Sequence, residues 1–191
     1  AASFGAKVMM TSPDCRSGTE RIASLLPQLD ADLILNVQGD EPLVDPDMLD
    51  ALVSQWSAAP SDLITPIFPI HQTEELQNPN IVKAVRAADG RALYFSRSAV
   101  PHMRDIPADQ WLQHGSYWGH IGVYGYRRSV LAAYASLPES PLEQMEKLEQ
   151  LRFLEAGYSF QTVITDYRPV AVDVMDDLEK VRRILAQRNE C

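Results

Sequence analysis

The sequence predicts an α/β protein with a mostly parallel sheet and one antiparallel hairpin. Short apolar segments that read as buried strands alternate with segments whose apolar residues recur at helical spacing. The Asp89-Gly90 pair interrupts this alternation between two extended segments, 81–86 and 92–96, in a pattern typical of a hairpin. The length of 191 residues suits a single domain, 1–191, with a sizeable core.

The composition excludes several classes of partner. Apolar residues make up 46% of the chain, and 26 acidic residues outnumber 17 basic ones to give a formal net charge of −9. This balance argues against a general nucleic-acid or acidic-membrane binder. No stretch of sequence is long and apolar enough to span a bilayer. From the charge balance and this lack of a span we expect neither nucleic acid nor membrane as a partner.

The first residues and the cysteines favour a cytoplasmic location. Residues 1–7 lack the charged and then apolar pattern of a signal peptide. Cys15 and Cys191 are too few and too far apart for a disulfide framework or a zinc knuckle. We therefore expect reduced thiols in a cytosolic protein.

The first predicted helix begins at a capping box. A strand is predicted over Lys7 to Thr11, and Ser17 with Glu20 three residues later then marks a helix start. A helix start with free N–H groups, the Ser17 hydroxyl and Arg21 suits an anion or a nucleobase edge. An ordinary capped helix explains the same spacing equally well.

Two predicted strands end in an aspartate. The apolar run from Leu33 to Val37 leads through Gly39 to Asp40, and the short run from Val170 to Val172 leads to Asp173. Ligands of open α/β sheets bind outside the carboxyl ends of the strands, and Mg²⁺ prefers oxygen ligands there. A shared Mg²⁺ is one interpretation, and a plain turn after a core strand is the other.

Two further regions leave a ligand site and simple packing both open. His120, Tyr124 and Tyr126 alternate on one face of a predicted strand, as for a polyhydroxylated ligand or a packed aromatic face. Ser140 and Glu143 form a second capping box for a helix running to about Ala156. On that helix Glu146, Glu149 and Gln150 are predicted to share one face, towards solvent or a pocket.

Five motifs in register resemble one family. They are Asp-x-x-Ser-Gly-Thr-Glu-Arg (14–21), Asn-Val-Gln-Gly-Asp-Glu-Pro (36–42), Ala-Leu-Tyr-Phe-Ser-Arg (92–97), His-Ile-Gly-Val-Tyr-Gly-Tyr-Arg (120–127) and Ser-Pro-Leu-Glu…Leu-Glu-Gln-Leu-Arg (140–152). Together they run along essentially the whole chain, and the chain resembles the 3-deoxy-manno-octulosonate cytidylyltransferases. The resemblance implies a Rossmann-like nucleotidyltransferase that makes CMP-Kdo and pyrophosphate from CTP and the acid sugar Kdo for lipopolysaccharide synthesis. It also implies a homodimer in the bacterial cytoplasm.

The resemblance assigns roles to individual residues. Asp40 and Asp173 would be catalytic and would carry Mg²⁺. The residues expected around the sugar are Gln38, Arg97, His120, Tyr124, Glu149 and Gln150. Ser17 and Arg21 would lie towards the nucleotide.

The chain departs from the family pattern at its beginning. It starts at a segment that matches the third strand region of the family, so we expect the first βαβ part and its triphosphate-binding loop to be missing from this domain. Two alternatives follow from the sequence. One is a cytidylyltransferase for a sialic-type acid sugar, and the other is a nonenzymatic remnant without the triphosphate loop.

Overall fold

A single sheet carries the fold. The computed structural model describes residue 3, residues 5–172 and residues 174–189 of the chain. In these residues seven strands form the sheet, in the order β1-β6-β2-β5-β3-β4-β7. Their bounds are β1 (Leu33–Asn36), β2 (Leu63–Pro69), β3 (Lys83–Arg86), β4 (Arg91–Ser96), β5 (Trp118–His120), β6 (Tyr124–Arg127) and β7 (Phe160–Ile164).

Helices connect most of these strands, which confirms the α/β class. They are α1 (Gly18–Ser24), α2 (Pro46–Ala58), α3 (Thr73–Gln77), α4 (Trp111–His114), α5 (Arg128–Ala133), α6 (Pro141–Glu146), α7 (Gln150–Glu155) and α8 (Met175–Asn189). Three side-chain N-caps favour the starts of α1, α2 and α6, at Ser17, Asp45 and Ser140. The capping box of Ser140 and Glu143 is present as predicted.

The predicted hairpin is present, but the sheet contains fewer parallel pairs than predicted. β3 and β4 pair antiparallel, and Gly90 between them has a φ of 89° that favours glycine. Among the described residues only β2 and β7 pair in parallel. The reason is that β6 lies between β1 and β2 and runs opposite to both. β1 and β2 therefore share a direction without being hydrogen-bonded to each other.

β2 is a central strand, although its two prolines predict an edge. It pairs with β7 on one side and with β6 and then β5 on the other. Pro66 lies where the neighbour changes from β6, opposite Leu63 and Ile64, to β5, opposite residues 67–69. Its missing N–H therefore falls in a gap of the ladder, and its carbonyl accepts from Ile121 at 3.1 Å.

Alternate residues of β2 enter two cores on opposite faces of the sheet. Leu63 and Ile67 belong to the core that contains Phe153 of α7, whereas Ile64 and Phe68 belong to the core that contains Leu52 of α2. All four β2 residues are almost fully buried. The sheet is thus covered by helices on both faces, as in doubly wound α/β proteins.

One predicted helix is broken in two, which corrects the shared face of Glu146, Glu149 and Gln150. Lys147 has a φ of 53° and separates α6 from α7. The carbonyls of Glu146 and Lys147 both accept from the guanidinium of Arg97, at 2.7 and 3.4 Å, instead of continuing a helix. As a result the three side chains have different surroundings.

Two predicted strands are absent from the described residues. Residues 7–11 are not assigned to any strand, and residues 170–172 have no ladder, although Val172 makes one backbone hydrogen bond. Both segments lack the ladder of inter-strand hydrogen bonds that defines a strand. Among the described helices, none has the combination of length and apolar character needed to cross a membrane.

Candidate active site

The chain segments that carry the two predicted metal ligands are neighbours. The N–H of Val172 donates to the carbonyl of Asp40 at 2.9 Å. Asp173 follows directly, but it lies outside the described residues. The hydrogen bond therefore places the segment that carries Asp40 beside the residue that precedes Asp173.

The carboxylate of Asp40 suits a divalent cation. It is exposed, and in the described part of the chain it makes no hydrogen bond or ion pair. Glu41 beside it has a carboxylate that accepts from the hydroxyl of Tyr167 at 3.4 Å. Among the described residues no group of three or more His, Cys, Asp or Glu is placed to hold a metal ion. Asp40 is a candidate ligand because its carboxylate offers the oxygen donors that Mg²⁺ prefers.

A cavity of about 300 Å³ lies beside this junction. We call it the His120 cavity. Its wall has polar side chains from distant parts of the chain, and Ala171 lines it as well. The polar side chains are those of Glu41, Asn80, His120, Tyr124 and Gln150. Three predicted sugar residues, His120, Tyr124 and Gln150, are thus brought together next to Glu41.

His120 is a buried neutral imidazole. Burial lowers the pKa of His120 to about 3. Its Nε2 lies 2.9 Å from the hydroxyl oxygen of Thr65, and that hydroxyl donates its single proton to the carbonyl of Val123 at 2.8 Å. Nε2 must therefore be the protonated nitrogen, and Nδ1 is left as an acceptor.

Tyr124 and Gln150 join β6 to α7 at the cavity wall. The Tyr124 hydroxyl donates to Oε1 of Gln150 at 3.1 Å. Burial raises the pKa of Tyr124 well above its usual value of 10, so the phenol remains a donor. Gln150 is 4% exposed, and its Nε2 has no hydrogen-bond partner. An unpaired buried amide donor is costly, and a water molecule or a ligand acceptor would satisfy it.

Arg97 is held by backbone carbonyls beside this cavity. Its guanidinium donates to the carbonyls of Pro79 at 3.0 Å, Glu146 at 2.7 Å and Lys147 at 3.4 Å. The carboxylate of Glu146 accepts hydrogen bonds from the peptide N–H of Arg97 and from the hydroxyl of Ser96. Arg97 therefore fixes the α6 end to β4, and it does not line the His120 cavity.

Glu149 lies in a different network from Gln150. Its carboxylate accepts from the hydroxyls of Ser17 at 2.8 Å, Thr19 at 3.1 Å and Tyr134. These contacts bind the start of α1 to the loop before α7. Ser17 and Glu149 line a second cavity, of about 360 Å³, rather than the His120 cavity.

The remaining predicted residues lie near the start of α1. The Gln38 amide donates to the side-chain oxygen of Asn36 at 3.1 Å, and a Cβ on Gly18 would lie 3.7 Å from the Gln38 amide. Arg21 donates to the carbonyl of Ser12 at 3.1 Å and to the hydroxyl of Thr11. Gln38 thus faces α1, whereas Arg21 holds the segment before it.

Two residues with polar side chains on the wall of the His120 cavity were not predicted as site residues. Asn80 belongs to the Asn-Pro-Asn sequence at 78–80, which on its own indicates only a turn. Glu41 follows Asp40 directly, so its position after the strand was a signal that could have been used.

Comparisons with known proteins agree on one family. The cytidylyltransferase family model matches residues 1–164. The 3-deoxy-manno-octulosonate cytidylyltransferase of Myxococcus xanthus (strain DK1622) is 46% identical over 188 residues, which cover 97% of this chain and 73% of that protein. The protein of the same name from Chlorobium limicola (strain DSM 245 / NBRC 103803 / 6330) is 45% identical over 185 residues, which cover 95% of this chain and 73% of that protein. The chain thus spans about three quarters of the length of these relatives.

Solved structures extend the comparison. The structure of CMP:2-keto-3-deoxy-manno-octonic acid synthetase complexed with CTP matches with a TM-score of 0.90 at 38% identity, covering 98% of this chain and 75% of that chain. The 4-diphosphocytidyl-2C-methyl-D-erythritol synthase from Anaerococcus prevotii DSM 20548 matches with a TM-score of 0.56 at 10% identity, covering 94% of this chain and 70% of that chain. This likeness shows a shared fold. The chain therefore belongs to the cytidylyltransferase family, and within it to the 3-deoxy-manno-octulosonate cytidylyltransferases.

Proposed function

We propose that this chain catalyses the transfer of CMP from CTP to 3-deoxy-manno-octulosonate (Kdo), for lipopolysaccharide biosynthesis. The anomeric hydroxyl of the sugar attacks the α-phosphorus of CTP, the bond to the β-phosphate oxygen breaks, and pyrophosphate leaves. The hydroxyl proton is lost to solvent or base in the same step. The identity of 45–46% to relatives named 3-deoxy-manno-octulosonate cytidylyltransferase supports the reaction. The His120 cavity supports the sugar as the acceptor.

The observation that carries the sugar assignment is the unpaired Nε2 of Gln150. Gln150, which carries the buried amide donor, lines one cavity together with His120 and Tyr124. Hydroxyl groups both donate and accept, so a polyhydroxylated acid can satisfy all of these groups together. An apolar ligand would leave the Gln150 donor unsatisfied at a cost of about 1–3 kcal/mol.

Asp40 is the proposed metal-binding and catalytic carboxylate, with Asp173 expected beside it. Their carboxylates would hold Mg²⁺, whose charge when bound neutralises the reacting phosphate and lowers the pKa of the attacking hydroxyl. The exposure of Asp40 and the 2.9 Å contact of its carbonyl with Val172 support this assignment. Glu41 links the same segment to the cavity wall.

The other expected roles rest on the resemblance together with the available donors. Arg97 uses three of the five guanidinium N–H groups on carbonyls, which leaves two for a sugar carboxylate. Ser17, Gln38 and Glu149 surround the start of α1, in keeping with a nucleotide or sugar contact there. Arg21 is expected towards the nucleotide. Homodimer formation and a location in the bacterial cytoplasm are expectations from the same resemblance.

The test compares Gln150→Glu with the wild type of the full-length protein. The glutamate keeps an oxygen for the Tyr124 hydroxyl but replaces the unpaired donor by an acceptor that repels an acidic sugar. We expect the KM for Kdo to rise at least about tenfold, equivalent to about 1.4 kcal/mol, with an unchanged KM for CTP. Pyrophosphate release is the measurement. Gln55→Glu on the exposed side of α2 adds the same charge away from the cavity and serves as the control.

The outcomes separate the function from the site. An unchanged KM for Kdo in Gln150→Glu would contradict the sugar assignment of the cavity. A wild type that turns over CTP with N-acetylneuraminate in preference to Kdo would favour the sialic-type alternative. A wild type without turnover of CTP and either sugar at saturating Mg²⁺ would favour the nonenzymatic alternative.

A further inference from the structure

We propose that Asn80 is a further sugar-contacting residue, which recognises a hydroxyl group of the acid sugar and contributes to the choice among acid sugars. The inference rests on the proposed function and extends it to a residue that carries no assigned role. Three observations lead to it: Asn80 lines the His120 cavity, its turn is held by two cationic side chains, and its amide is unengaged in the described structure.

The turn that carries Asn80 is fixed at each peptide. The Asn78 carbonyl accepts from Nζ of Lys83 at 2.9 Å, and the Pro79 carbonyl accepts from Nη1 of Arg97 at 3.0 Å. The N–H of Asn80 donates to the side-chain oxygen of Asn78 at 2.9 Å. The position of Asn80 on the cavity wall is thus set by its neighbours and not by its own side chain.

Lys83 makes this arrangement costly, which indicates a specific purpose. It is fully buried, and its single hydrogen bond within the described chain goes to Asn78. Burial, followed by the nearby Arg97 guanidinium, lowers the pKa of Lys83. The Glu146 carboxylate favours the charged form of Lys83 and so opposes these two effects in part, but removing an ammonium group from water is still costly. The cost is consistent with a turn whose geometry matters for ligand binding.

The Asn80 side chain has the chemistry that a sugar hydroxyl requires. Its amide is exposed, and the described residues offer it no hydrogen bond. An amide provides both donors and an acceptor, so it can pair with a hydroxyl in either sense. Together with the Gln150 amide and the His120 acceptor, it gives the cavity three polar contacts from three parts of the chain, and such sets of polar groups fix a ligand's orientation.

The experiment compares Asn80→Ala and Asn80→Asp with Gln77→Glu in the full-length protein. Asn80 is exposed, so neither substitution should lower the thermal midpoint. Asn80→Ala should raise the KM for Kdo about threefold to tenfold, because one hydrogen bond is lost. Asn80→Asp should raise it more, because a carboxylate on the wall repels the sugar acid. The KM for CTP should stay constant in both variants.

The control separates contact from general charge. Gln77→Glu adds the same negative charge three residues away, at an exposed position that does not line the cavity, and should leave the KM for Kdo unchanged. An unchanged KM for Kdo in Asn80→Ala, or equal shifts in Asn80→Asp and Gln77→Glu, would overturn the inference. A wild type without turnover of CTP and Kdo would instead overturn the proposed function on which it rests.

Discussion

The peptide N–H of Val172 donates a hydrogen bond of 2.9 Å to the carbonyl oxygen of Asp40. Residues 132 positions apart (172 minus 40) are therefore joined through the backbone, and the Asp40 side chain takes no part in the contact. Its carboxylate is exposed, without a hydrogen bond or ion pair to any described residue. The charge of Asp40 can consequently be changed without loss of a described structural contact.

Asp40→Asn should reduce CMP transfer by at least about a thousandfold, because the proposed cation would lose a charged ligand beside the reacting phosphate. The thermal midpoint should stay within about 2 °C, since surface substitutions usually change stability by less than about 0.5 kcal/mol. Pyrophosphate release across a Mg²⁺ titration measures the effect. Asp50→Asn, on the exposed side of α2, is the matched control. Normal turnover of Asp40→Asn at ordinary Mg²⁺ concentrations would refute the metal assignment.

Local sequence patterns predicted the elements that are stabilised locally. The N-caps at Ser17 and Ser140 and the hairpin at Gly90 depend on residues a few positions apart, and all are present. The break at Lys147 was not predictable in this way, because it accompanies hydrogen bonds from Arg97, 50 positions away (147 minus 97). Tertiary contacts therefore decided where the predicted long helix ends.

The site residues were predicted only in part, because tertiary contacts also decide which of them line the cavity. His120 ends β5 and Tyr124 begins β6, two strands that follow each other along the chain and both pair with β2. Both residues line the cavity, whereas Tyr126 is a core residue whose hydroxyl contacts Thr19. Glycines among β-forming residues, as at positions 119 and 125, predict the close approach of a ligand or of another backbone. The structure shows instead that a Cβ at Gly119 would lie 2.2 Å from the ring of Phe68, so this glycine makes room for a core side chain.

The stability of the protein should fall in mild acid because of His120. Burial lowers the pKa of His120 to about 3, whereas an unfolded histidine titrates near 6.5. Between these values the unfolded state binds more protons, so the free energy of unfolding decreases as the pH falls. The limiting slope is about 1.4 kcal/mol per pH unit. The surroundings include the Phe95 and Tyr124 rings and the Thr65 hydroxyl, none of which is charged at these pH values.

Urea unfolding of the wild type and of His120→Gln at pH 6.5 and pH 5 provides the measurement. We expect the wild type to lose about 1.5 kcal/mol more than the variant over this interval, by the linkage relation for a single titrating group. The comparison cancels the carboxylates, which titrate in both proteins. Equal losses in the two proteins would show that His120 does not remain neutral in the folded state.

The ion pair of Arg152 and Glu143 should stabilise the packing of α7, which carries Gln150, against α6. Nε and Nη2 of Arg152 lie 2.6 and 2.7 Å from the two carboxylate oxygens of Glu143, and the side chains are 9% and 15% exposed. The guanidinium also lies 5.0 Å from the centre of the Tyr134 ring. Arg152→Met leaves a largely buried carboxylate without its partner, and we expect a loss of about 3 kcal/mol in the free energy of unfolding.

Two comparisons make this prediction specific. The double variant Glu143→Gln/Arg152→Met leaves no buried charge, so it should be less destabilised than the sum of the two single variants by about 1–3 kcal/mol. Arg182→Met removes a matched ion pair, to Glu179, whose side chains are 62% and 56% exposed, and should cost less than about 1 kcal/mol. Equal losses for Arg152→Met and Arg182→Met in urea unfolding would mean that the buried pair contributes no more than a solvated one.

The buried ion pair should matter for activity as well, because Arg152 lies two residues from Gln150 on α7. Loosening that helix in Arg152→Met should raise the KM for Kdo together with the loss of stability.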